Sequence, residues 1–330
     1  MGTLMKLPPV SGRWEQYDDR EAWLAARCSV LGSSDVPALV GLGYSGQNPM
    51  TVFASKRGQV EQRFTKATQK RFEKGRIGER FVLDMFRLET DLDPVHTSLP
   101  AICYHPTLDF LGASLDAYVV ESGEHCAVEC KMVGGKAWMD WADDEPPVRH
   151  AVQVQHQLLC TGWNRGYLVG WTGEECKIYE IHRQESLLDL LTEKLTRFWH
   201  DNVLAGVAPP LDGSEATAEA LRMLWPHDKG DVVELGEAEV GLYKRIGEID
   251  SSLKSLKAEQ EEAKSRIKLL LGDASYGVLP NGAAVSWKTQ ERKGYYVEPG
   301  ESRVFRRHDR LPKGVASLPA VKPKKLPTAI

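Results

Sequence analysis

The residues best placed for chemistry are Asp116, Glu129 and Lys131, in the run LDAYVVESGEHCAVECK. Strand side chains alternate, so Glu129 and Lys131 share one face while Cys126, Val128 and Cys130 point to the other, into the core. A short turn between the two segments lets Asp116, read as part of the first strand, approach Glu129. Two carboxylates with a backbone carbonyl, that of Cys130, make an oxygen site suited to Mg²⁺, with Mn²⁺ expected to substitute. A lysine beside such a metal can position or deprotonate an attacking water, or offset charge at a phosphate. An E-x-K triplet alone is weak, because a solvated surface hairpin carries it as easily. The apolar flanks in AVEC, the preceding Asp and a following glutamine-rich helix raise its weight. Gln153 and Gln157 stand four apart in that helix, on one face.

These groups need elements to hold them. Asp18–Arg27 reads as a short amphipathic helix. CSVLGSSDVPALVGLG then leads into a second short helix that Ser34 or Asp35 would cap. Residues 70–89 carry a strong helical apolar pattern, including Ile77, Phe81, Val82, Met85 and Phe86. AICYHP, FLGASLDAYVV and HCAVECKM read as three strands separated by turn signals. A polar loop, Lys136–Pro147, holds Trp138 and Trp141, which suit core or lid packing better than stacking on bases. Helix His150–Thr161, strands Gly166–Trp171 and Cys176–His182, and helix Glu185–Leu204 complete an α/β domain over 1–205. The Pro- and Gly-bearing stretch 206–232 reads as a linker. An appendage over 233–330 follows: a charged helix, Val233–Leu271, then two strands, Tyr276–Leu279 and Ala283–Gln290, and a basic tail from Arg303 to Lys325. The narrow stripe Leu242, Ile246, Ile249, Leu253 and Leu256 suits packing on a partner helix or on the main domain.

Composition bounds the partners. The chain has 330 residues, 42% of them hydrophobic, and a net charge of -4. Wholesale coating of nucleic acid would call for a strongly basic chain, so any contact with nucleic acid must be local. Nine Lys or Arg against three Glu between Lys56 and Arg80 would supply such charge, by tracking a phosphate backbone or merely as a solvated face. The six cysteines have no zinc or C-x-x-C spacing, which argues against a zinc or iron–sulfur site and for reduced thiols in a cytosolic protein. The start MGTLMKLPPV has no apolar signal core, and no apolar run is long enough to span a membrane.

Five segments, in order, resemble the YqaJ-type viral recombinase (lambda-exonuclease-like) family of the PD-(D/E)-x-K nuclease superfamily. RCSVLGSSDVPALVGLG is similar to the family's opening motif, and GRIGERFVLDMF to its Glu-bearing helix. GASLDAYV and VECK match the Asp and the E-x-K, and HAVQVQHQLLCTG matches the Gln-containing helix. Many relatives have Asp-Gly where this chain has Asp116-Ala117, which leaves the ligand intact. The resemblance implies a restriction-endonuclease-like core: a central mixed sheet flanked by helices, here with a C-terminal appendage of a long helix plus β-hairpin. It implies Glu79 as a further acid near the metals, and Gln153 as a contact to the attacking water or a phosphate, with Gln157 as a possible second. Arg27, Ser34 and Ser114 are implied to hold the 5′-terminal phosphate; a guanidinium fork and donors at a helix start suit that task. The implied activity is 5′→3′ resection of linear duplex ends. Implied partners are double-stranded DNA ends, further copies of the chain in a homotrimer, and a single-strand annealing protein, in the cytoplasm of a bacterial host of a phage or prophage. An endonuclease of the superfamily and a catalytically silent DNA-binding or assembly protein are the rival readings. The Arg27–Ser34 motif opposes the first, and the intact acids and lysine oppose the second.

Overall fold

The computed structural model describes residues 7–44, 46–57, 66–97, 100–141, 144–291, 305, 308 and 320–321. The described residues form two compact units, one reaching Trp225 and one beginning at Pro226. The first opens with β1 (Arg13–Gln16), α1 (Arg20–Arg27), β2 (Leu31–Gly32), α2 (Val36–Leu39), α3 (Pro49–Lys56) and α4 (Lys66–Thr90). Asp19 caps α1 by accepting the Ala22 amide at 2.8 Å, as its position before the apolar-periodic run requires. The strands β3 (Val95–His96), β4 (Ala101–Tyr104), β5 (Leu111–Ala113), β6 (Ala117–Glu121) and β7 (Glu124–Met132) follow. After β7 come α5 (Val148–Thr161), β8 (Arg165–Trp171), β9 (Cys176–His182) and α6 (Glu185–Arg197).

Two sheets result. A mixed five-stranded sheet has the order β3-β6-β7-β8-β9, and a four-stranded sheet has the order β1-β4-β5-β2. β7 and β8 are parallel, so the chain must cross over between them, and α5 is that crossover. Helices cover both faces of the five-stranded sheet. On one face Val82 and Phe86 of α4 pack on Val128, Cys130 and Val169. On the other, Val154 and Leu158 of α5 pack on Ala127 and Leu168. The expected mixed sheet flanked by helices is therefore present. Gly162 ends α5 at φ 76°, a left-handed conformation that glycine adopts without strain. Gly170 is required for another reason: a Cβ there would lie 2.2 Å from the Trp141 ring.

Four sequence expectations change. FLGASLDAYVV is not one strand. It splits into β5 and β6, which belong to different sheets, and Asp116 lies in the break rather than in a strand. The break is held from outside: the Thr97 amide and hydroxyl both donate to the Asp116 carbonyl, at 3.1 and 2.8 Å. The loop after β7 contains a 3-10 turn, Gly135–Trp141, with Trp141 only 2% exposed and so part of the core, while Trp138 is exposed. The expected linker 206–232 is not open chain. It contains α7 (Glu215–Leu224), whose Ala216, Ala220 and Leu224 recur at helical spacing and are buried. α7 packs on α3, where Asn48 donates to Thr217 Oγ1 at 2.7 Å and to Asp212 at 3.1 Å. Helix α6 also stops short of Leu204, continuing as a π-helical turn over Phe198–Leu204.

The second unit holds β10 (Val232–Val233), α8 (Glu237–Leu271), β11 (Tyr276–Val278), β12 (Ala284–Ser286) and β13 (Ala320–Val321). β11 and β12 form the expected hairpin, and β10 pairs with β13 in parallel. The basic tail residues Arg303, Arg306, Arg307, Arg310, Lys322, Lys324 and Lys325 lie outside the described residues. Among the described residues no helix is long and apolar enough to cross a membrane.

Candidate active site

β7 runs through the middle of its sheet, so its central carboxylate is enclosed. Glu129 is 2% exposed. A buried carboxylate must be paired and hydrogen-bonded, and three donors meet this one. Lys131 Nζ and Gln153 Nε2 donate to Oε1, the latter at 2.5 Å, and Gln157 Nε2 donates to Oε2 at 2.5 Å. The pairing follows from the elements: α5 lies on the face to which Glu129 and Lys131 project, and residues four apart on α5 present two amides to one carboxylate. Gln155 points elsewhere, bonding His182 and Gln184, as the helical spacing implies. Asp116 joins from the break between β5 and β6. Its Oδ2 accepts the Cys130 amide at 2.9 Å, and so extends the β6–β7 pairing with a side chain in place of backbone. The Cys130 side chain is buried under α4, and its backbone lies opposite Val169 in the ladder.

Electrostatics ties these groups together. Burial and then the charge of Glu129 push the Asp116 carboxyl well above the usual carboxylate range. The same two causes, in the same order, raise Glu79 on α4. Burial alone would lower Lys131, but Glu129 and Asp116 outweigh it and hold its ammonium above the ordinary lysine value. Three acids therefore crowd one lysine. Among the described residues no three His, Cys, Asp or Glu side chains stand as a ready metal cage, and the oxygens of Glu129 are taken by Lys131 and the glutamines. The donor set still fits a hard divalent cation: the groups are oxygen ligands, their charges repel, and a cation relieves that repulsion. Among the described residues the buried Gln157 Oε1 has no partner, which leaves an acceptor free for water.

A second cluster gathers the residues expected to hold a terminal phosphate. Arg27 Nη2 donates to Ser34 Oγ at 2.7 Å, and its guanidinium lies 4.7 Å above the Trp23 ring. Trp23 Nε1 in turn donates to Ser114 Oγ at 3.1 Å. Ser114 spends its own proton on the Ala101 carbonyl, at 2.7 Å, so it braces this cluster instead of offering a free donor. Asp35 does not cap α2 with its side chain. It accepts the Gly32 amide at 2.8 Å and pairs with Lys56 Nζ at 2.6 Å. Lys56 also donates to the Arg27 carbonyl at 2.9 Å. Although burial would raise Asp35, the charges of Lys56 and Arg27 hold it below the usual range.

Lys56 and Arg57, read in the sequence within a basic, solvated or DNA-tracking run, are both buried; Arg57 donates to the Val203 carbonyl at 3.1 Å. The sequence reading also missed Tyr44 and His150. His150 Nε2 meets Tyr44 OH at 2.9 Å, and the Arg149 guanidinium lies 4.4 Å above the Tyr44 ring. Burial, then Lys131 and Arg149, lower His150 to about 3, so it is neutral. Its position three residues before Gln153, one helical turn, was the available signal.

Residues 22–164 match the model of the YqaJ-like viral recombinase domain. The chain is 29% identical over 273 residues to the YqaJ protein of Bacillus subtilis (strain 168), spanning 82% of this chain and 83% of that protein. An alkaline exonuclease (LHK-Exo) from Laribacter hongkongensis is similar at 22% identity, with a TM-score of 0.46, over 57% of this chain and 94% of that one. The matched span includes both side-chain clusters, from Arg27 to Gln157. Over residues 22–164 the chain is thus similar to the YqaJ-like viral recombinase domain.

Proposed function

We propose that the chain is a divalent-metal-dependent DNA exonuclease that resects one strand of linear duplex 5′→3′. One observation carries the reading: Asp116 and Glu129 are brought together by the β6–β7 pairing, with Lys131 and Gln153 on the same carboxylate. Asp116, Glu129, the Cys130 carbonyl and Glu79 would hold Mg²⁺, with Mn²⁺ as a substitute. The bound ion would supply Lewis-acid charge at the scissile phosphate and a more acidic water. Lys131 and Gln153 would orient the attacking water, and Gln157 would hold the Glu129 carboxylate in place. Arg27 and Ser34 receive the 5′-terminal phosphate, and Ser114 steadies them through Trp23. The family to which residues 22–164 are matched supports a role in recombination. We extend that role to a homotrimer around its substrate, acting with a single-strand annealing protein in the bacterial cytoplasm. The test is incubation of 5′-phosphorylated linear duplex and of closed circular duplex with Mg²⁺, Mn²⁺ or EDTA. Loss of linear DNA alone, with either metal and not with EDTA, is expected. Cutting of the circle would favour an endonuclease, and inertness on both would favour a binding protein.

A further inference from the structure

Helix α8 buries none of its 35 residues, yet it carries a continuous apolar seam. Leu242, Ile246, Ile249, Leu253 and Leu256 step by four, three, four and three. The same steps continue to Gln260, Ala263, Ile267 and Leu270, so the repeat runs through four heptads. Leu256 is 61% exposed and Leu270 is 87% exposed. A surface helix packed on its own domain repeats every 3.6 residues, whereas a strict heptad repeats every 3.5 and is matched by another helix that supercoils with it. The seam thus calls for a helical occupant.

Its flanks and its one polar position select which helix. Residues on either side of the seam are Arg245, Ser252 and Glu259 on one flank, and Asp250, Lys257 and Lys264 on the other. When two copies lie parallel and in register, each residue of the first flank meets the residue five further along the partner helix. Arg245 then faces Asp250, Glu259 faces Lys264, and Ser252 faces Lys257, with no like charges opposed. Gln260 faces Gln260, so each amide has a partner. Full antiparallel overlap would instead set Arg245 against Arg266 and bury Gln260 against Ile249. Within its own helix Arg245 pairs with Glu248 at 2.9 Å and Lys264 with Glu261 at 2.7 Å. Exposed pairs of this kind are weak and yield to a better-placed partner. We propose that α8 packs against α8 of other copies of this chain as a parallel, in-register coiled coil.

Full-length Ile249→Cys and Ala263→Cys variants test this under oxidised glutathione, with Ala258→Cys, on the outer face of the same helix, as control. Each seam cysteine should cross-link to itself in a second copy, and the control should not. An antiparallel pair can bring at most one of the two seam positions against itself, so cross-linking at only one overturns the proposal. So does cross-linking at neither in variants that keep the wild-type circular dichroism. Leu256→Cys replaces either variant should it prove insoluble. A charge exchange supplies the second arm. Glu259→Lys should slow seam cross-linking by about tenfold, because two attractive pairs become repulsive. Adding Lys264→Glu to the same chain should restore the rate. A double variant as slow as the single would overturn the register.

Discussion

At the scale of single residues the site is built on shared commitments. Glu129 has its two oxygens held by three donors, so an alanine there would remove a proposed metal ligand and also orphan buried amides. Glu129→Gln is the cleaner probe, since it keeps the shape and loses the charge. It should cut Mg²⁺-dependent DNA hydrolysis by more than about 100-fold, the loss that even outer-shell partners can cause. Circular dichroism should be unchanged, and a rate within threefold of wild type would remove Glu129 from the metal site. Arg27 is proposed for a different task. A terminal phosphate monoester bears nearly two charges, an internal diester one, and a charge-assisted bond is worth roughly 1.5–3 kcal/mol. Arg27→Ala should therefore slow digestion of 5′-phosphorylated ends by about 10- to 100-fold and of 5′-hydroxyl ends far less. Equal losses on both ends, at one salt concentration, would leave Arg27 a structural residue that braces Ser34 and Trp23.

At the scale of elements, capping side chains join parts of the chain that are distant in sequence. Asn48 accepts the Thr51 amide at 3.0 Å, starting α3, and its own amide donates to Thr217 on α7. Asn48→Ala removes a cap and a docking bond together and should cost about 1–2 kcal/mol of stability. A chemical denaturation midpoint equal to wild type would refute that linkage. Helix α5 carries a second latent cost. His156 is fully buried, with Nδ1 3.0 Å from Ser33 Oγ, and burial lowers its pKa to about 4. The folded-state value lies below the unfolded value of about 6.5, so the unfolded chain binds the proton first as pH falls. The stability involved is full above pH 6.5 and is lost as pH drops toward 4, by about 3 kcal/mol in all. His156→Gln should flatten the thermal-midpoint profile between pH 6.5 and 4. An unchanged slope would place the titration elsewhere.

At the scale of the whole molecule the boundary of the first unit is a physical quantity. α7 covers part of the main core: Ala220 and Leu224 belong to the same cluster as Met50 and Phe53. A chain ending at Trp225 should keep the thermal midpoint of that unit. One ending at Ala205 uncovers the α3 surface and should melt about 5 °C lower or more, since burying one leucine is worth roughly 1.5–3 kcal/mol and a domain of this size shifts about 2–4 °C per kcal/mol. Coincident melting of the two truncations, followed by calorimetry, would return 206–225 to the status of a linker.

Local pattern was enough for the parts whose structure is set by near neighbours in sequence. The alternation in HCAVECKM put Glu129 and Lys131 on one face, and spacing by four put Gln153 and Gln157 on another single face. The long helix and its hairpin were legible for the same reason, except that the helix, expected from Val233, begins at Glu237, because Val233 pairs in β10 instead. Their periodicity is strong, and the turn at Asn281-Gly282 is local. Tertiary structure decided what depends on distant partners. FLGASLDAYVV looks continuous because both halves are apolar, but the first half pairs with β4 and the second with β7, and no local signal says where a strand changes sheets. Lys56 looks like surface charge until Asp35 and the Arg27 carbonyl enclose its ammonium. The partner that makes a buried charge tolerable lies elsewhere in the chain, so its burial becomes visible only once the chain has folded.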